Sequence, residues 1–172
     1  MTYIALRGKP ITTQAQVRAD TLTSTASSGP TVIAFCCLAI ILALVVGVGI
    51  PDKLVLRHIV QTLPLWPVIV LGFRRSNTVG WASLPLFLFW LLLMTLIWLY
   101  LLGVSHLING HFSPLEIAMT LVVGAASLVG IGAFWRFKSG LSAVRAVILF
   151  VVFAAFQFSC LRVSLLPSIA HR

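Results

Sequence analysis

Side chains able to do chemistry are scarce in this 172-residue chain, which holds three acidic residues and four histidines. Asp52, Lys53, Arg57, His58, His106, Asn109, His111 and Glu116 fall in segments that a helical bundle would bring to one of its ends. Imidazoles beside carboxylates offer ligands for a metal or haem, or a proton relay near neutral pH. His58, His106 and His111 are therefore the candidate cofactor-binding residues. Their spacing does not favour the idea. His106 and His111 stand five apart in a short polar loop, whereas two ligands on one helix face need i, i+4. The simpler account is that this end of the bundle is where the loops are.

No catalytic residue, metal or cofactor is predicted. The chain has no GxSxG, no HExxH, no nucleotide-binding glycine pattern and no pair of intramembrane carboxylates. Glu116 has a structural explanation. Ser113-Pro114-Leu115-Glu116 reads as a capping box, with Ser at the N-cap, Pro at the first helical position and Glu at the third. Arg57 and His58 suit contact with lipid headgroups as well as they suit a water-filled cavity. Gln61 and Gln157 can hydrogen-bond across two helices, and Thr95 can bond its own backbone. Cys36, Cys37 and Cys160 show no CxxC or zinc spacing and read as buried apolar thiols.

The composition decides what these residues are set in. Hydrophobic residues make up 60% of the chain, charged residues 9%, and the mean hydropathy is +1.09. A soluble domain of this size carries about 25% charged residues. An ordinary water-soluble fold, a disordered chain and a coiled coil are excluded. The expected fold class is all-α: a polytopic transmembrane helix bundle behind a flexible polar N-terminal tail. The net charge of +9 would suggest nucleic acid in a soluble protein, but here the basic residues flank apolar spans. They are expected to fix topology and meet anionic lipid, with no nucleic-acid partner.

Residues 1–30 form the tail, rich in Ser and Thr and without a sustained hydrophobic period. Its charged region is too long for a signal peptide, and so is the apolar run after it. Five membrane segments follow within 31–161, at about 31–50, 54–73, 84–104, 114–135 and 142–161, with a short C-terminal tail at 162–172. The second segment is the irregular one. Arg57, His58 and Gln61 occupy its first half and Pro64 and Pro67 interrupt it, so it is expected to be kinked, re-entrant or interfacial.

Small residues recur at Ala39, Ala43 and Gly47 in the first segment, and Gly124, Ala125, Ser127, Gly130 and Gly132 crowd the fourth. In lipid, such residues let helix backbones approach closely. The fourth segment is accordingly expected at the centre of the bundle, with Gly124 and Gly130 as structural positions. The third, with Phe87, Phe89, Trp90, Trp98 and Tyr100 among leucines, is expected to have substantial lipid exposure, with Trp98 and Tyr100 near one interface.

Five spans place Arg7, Lys9, Arg18, Arg74, Arg75, Arg136 and Lys138 on one side, against Lys53, Arg162 and Arg172 on the other. That bias predicts a multi-pass cell (inner) membrane protein with its N-terminus cytoplasmic and its C-terminus outside. The expected function is that of a non-enzymatic accessory, assembly or scaffold component. Its partners would be the bilayer and a protein or second copy bound through small-residue helix faces. The alternatives are a small channel or transporter component, and a metal, haem or intramembrane-enzyme site built on the outer histidines.

Overall fold

The computed structural model describes residues 28–51, 53–104, 113–137, 139–166 and 169. The N-terminal tail, Asp52, Lys138 and the loop holding His106, Asn109 and His111 lie outside the described residues. The described chain is all-helical: α1 (Gly29–Leu42) running into a π-helical segment (Ala43–Gly49), then α2 (Val55–Thr62), α3 (Leu65–Phe73), α4 (Val79–Leu101), α5 (Pro114–Arg136) and α6 (Ala143–Ser164). Four helices are long and apolar enough to cross a bilayer, and α2 with α3 makes a fifth segment bent by 53°. The protein is a polytopic membrane bundle.

The bend in the second segment follows from its prolines. Pro64 has no N–H to offer the Val60 carbonyl, and the amide of Leu63 takes that oxygen at 3.3 Å. Pro67 likewise releases the Leu63 carbonyl to the amide of Trp66 at 3.2 Å. Two tightened turns in succession redirect the helix, so α2 packs against α6 and the π-helical segment while α3 packs against α1.

Close packing is concentrated on α1. Half of its span is buried, against 28% for α4 and for α5 and 17% for α6. The expectation that the fourth segment forms the centre is corrected: small residues on α5 allow approach, but the centre is Ile33, Ala34, Cys37 and Ile40 of α1. A methyl on Gly72 of α3 would stand 2.7 Å from the Pro30 carbonyl and 2.8 Å from Ala34 Cβ, so α1 and α3 touch through their backbones there. The third segment has the substantial outer exposure expected of it, since 28% of its span is buried, but its bulk is not exposed all round. Phe87 and Trp90 are fully buried, and only part of α4 faces outward.

Each end of the bundle is built by local chemistry. At the start of α5, the Ser113 hydroxyl accepts from the Glu116 amide at 3.3 Å and Glu116 Oε2 accepts from the Ser113 amide at 2.6 Å. Ser113→Ala removes one of these bonds and is expected to cost about 1 kcal/mol, measured as a lowered melting temperature in detergent. At the opposite end Arg75 closes α3 with φ +51°, a left-handed position that glycine usually fills. The matching closure of α4 uses Gly103 at φ +73°.

Candidate functional site

The one dense set of interhelical polar contacts among the described residues lies where α2 breaks. Four residues after Arg57, Gln61 is buried, and its Nε2 donates to Ser164 Oγ at 3.1 Å on α6. Gln157 Nε2, also from α6, donates to the Gln61 main-chain oxygen at 3.2 Å. That carbonyl belongs to the last turn of α2, where the helical ladder ends and acceptors are left over. Thr62 turns its hydroxyl back onto the carbonyls of His58 and Ile59, at 3.0 and 3.1 Å. The arrangement satisfies a broken helix within apolar surroundings, which is what a bilayer demands of irregular backbone.

Three buried atoms in this region have no hydrogen-bond partner: Arg57 Nε, His58 Nδ1 and Gln157 Oε1. The Gln157 amide spends its Nε2 on the Gln61 carbonyl, and its oxygen is left buried and unpaired. His58 packs beside Gly49, with ring Cδ2 3.3 Å from where a methyl on that glycine would stand. It lies near enough to Arg57, Gln61 and Glu116 to feel their charges and dipoles. Of the polar groups expected at this end, the structure thus brings His58, Arg57 and Glu116 into one neighbourhood. His106 and His111 fall outside the described residues. No group of three or more His, Cys, Asp or Glu that would hold a metal occurs among the described ones.

A second feature is a groove of about 450 Å³ between α4 and α5, open to the surrounding bilayer. Leu91, Met94, Thr95, Trp98, Thr120, Leu121, Gly124, Ala125 and Leu128 line it. Its hydroxyls are already used, Thr95 on the Leu91 carbonyl at 2.8 Å and Thr120 on the Ile117 carbonyl at 2.7 Å. The groove therefore presents hydrocarbon. A methyl added at Gly124 would meet nothing within 4 Å, so the close internal contact expected there is corrected. Gly130 is different: a Cβ there would overlap the Phe87 ring at Cε2 and Cζ.

Sequence reasoning singled out Gly124, Gly130, Ser113, Glu116, Gln61 and Gln157, and missed Gly72 and Ser164. Gly72 lies in Val70-Leu71-Gly72-Phe73, where nothing marks the i, i+4 rows that announce close packing. Ser164 sits beyond the expected end of the last span, which the structure extends to that residue. No protein-family model, curated protein or solved structure matches the chain.

Proposed function

We propose that this membrane protein works as a non-enzymatic accessory or assembly component, holding a helix of a partner or of a second copy in the groove between α4 and α5. The observation that carries this reading is Gly124. In lipid, a glycine on a helix face lets another backbone come close, and among the described residues nothing lies within 4 Å of where a Cβ on Gly124 would stand. Ala125 and Thr120 continue the low surface, with Leu121, Leu128 and Trp98 as walls. The Lys/Arg bias supports an inner-membrane orientation with the N-terminus cytoplasmic.

Gly124→Leu tests the reading, because the added side chain occupies the groove while its Cβ meets no described atom within 4 Å. The monomer's stability is expected to change by about 0.5 kcal/mol or less. Association in native membranes is expected to be lost, read as a fall in sedimentation coefficient after mild solubilisation. Retention of the assembly in the variant refutes the groove as the contact.

The broken α2–α3 segment favours a second reading, a small channel or transporter component, since discontinuous helices carry solute sites in many transporters. Against it, the buried hydroxyls of Ser83, Thr120 and Ser127 each bond their own helix and do not extend the polar cluster into a path. Solute flux in liposomes containing the purified chain alone would favour this second reading.

A further inference from the structure

At the end of the bundle opposite the polar cluster, a cleft of about 440 Å³ opens between the start of α1 and the end of α5. Its walls are Ser28, Gly29 and Val32 at the start of α1 and Val129, Gly132 and Ala133 of α5, with Arg136 and Phe137 completing the lining at the end of α5. We infer that this cleft is a seat for one anionic phospholipid, its phosphate held by Arg136 and an acyl chain lying along Val32, Val129 and Ala133.

Charge complementarity selects that occupant. The first turn of α1 carries no acidic residue, and Arg136 closes the last turn of α5. Arg74 and Arg75 belong to the same end, because Gly72 packs on Pro30 and Gly80 packs on Phe134 and Phe137. Arg145 joins them at the start of α6, near Ser139, whose hydroxyl accepts from Trp81 Nε1 at 3.0 Å. Glu116, the one carboxylate among the described residues, stands at the other end of α5.

Depth agrees with charge. Trp135, beside Arg136, is 79% exposed, and an indole so placed belongs at headgroup level. Below it the lining turns apolar, as a lipid requires of a site that receives both ends of the molecule. Gly132 makes the room: among the described residues a methyl there would meet nothing within 4 Å, so they leave the cleft hollow at that position. Free inorganic phosphate would fill only the mouth. This inference does not depend on the groove between α4 and α5.

The test titrates detergent-purified protein with phosphatidylglycerol or with phosphatidylcholine of the same acyl chains, reading melting temperature and, by native mass spectrometry, the lipid retained. Phosphatidylglycerol is expected to bind the parent chain preferentially. Arg136→Gln is expected to weaken it about fivefold, the share of one cation at a headgroup. Gly132→Leu is expected to abolish the preference by filling the cleft, while Arg145→Gln, at the same end but outside the lining, retains it. Should Gly132→Leu fail to fold, the comparison of Arg136→Gln with Arg145→Gln decides alone. Equal binding of the two lipids overturns the inference, as does equal weakening by the two arginine variants. Stabilisation by inorganic phosphate alone to the same degree also overturns it.

Discussion

Gly72→Ala is expected to destabilise the solubilised protein by about 1–3 kcal/mol, although it adds a single methyl group. The new Cβ would lie 2.7 Å from the Pro30 carbonyl oxygen and 2.8 Å from Ala34 Cβ. Neither neighbour is the far end of a flexible side chain, so α1 and α3 have to move apart. Ala34 is fully buried in the most enclosed helix of the bundle, and separation there loosens contacts along the whole α1–α3 face. Gly132→Ala supplies the control, since its methyl enters open space and replaces a glycine inside a helix. It is expected to be neutral or to stabilise by up to about 1 kcal/mol. Thermal unfolding in one detergent, read on both variants, checks the pair. Equal melting temperatures for the two would mean that α1 and α3 do not meet as described.

The second large effect is expected at Gln157. Gln157→Leu keeps the bulk of the side chain but takes away the only side-chain donor to the Gln61 carbonyl among the described residues. An acceptor left unpaired in an apolar setting costs about 1–3 kcal/mol, whereas interhelical hydrogen bonds in bilayers average about 0.6 kcal/mol. The Gln61 carbonyl lies at a helix break, where no continuing turn takes over, so a loss of about 1–2 kcal/mol is expected. Gln61→Leu breaks the bond to Ser164 Oγ yet leaves the main-chain oxygen served by Gln157. It is expected to cost less, about 0.5 kcal/mol. A larger loss from Gln61→Leu than from Gln157→Leu would place the weight on the side-chain bond and not on the broken backbone.

These two residues also mark how far the chain could be read before its structure. The membrane class, the all-helical bundle and the irregular second segment follow from apolar length and proline position, which act locally. The reciprocal Ser113–Glu116 bonds are legible for the same reason, since both partners lie within one turn. Gln61 and Gln157 stand out as amides in apolar spans, but their asymmetry does not: that Gln157 serves a carbonyl and Gln61 serves Ser164 depends on where α2 stops. Gly72 was not legible, because a glycine before a basic pair resembles a helix end until α1 is laid against it. Gly124 and Gly130 look alike in sequence, six residues apart on one small-residue helix. Only packing separates them, one against Phe87 and one facing the bilayer. The same limit explains the misplaced centre. Small residues report that a helix is able to approach closely, and whether its neighbour belongs to the same chain is a question of tertiary arrangement.

If the α4–α5 groove holds a protein helix, as proposed, and the outer face of α6 meets lipid, the two faces have different neighbours in the membrane. A photoreactive amino acid placed at position 124, and separately at position 151, tests it in native membranes. Val151 is exposed on α6, away from the groove. One discrete protein cross-link of fixed mass is expected from position 124, lost when Ala125→Leu crowds the groove, and lipid adducts alone are expected from position 151. Lipid adducts alone from both positions would contradict the proposal.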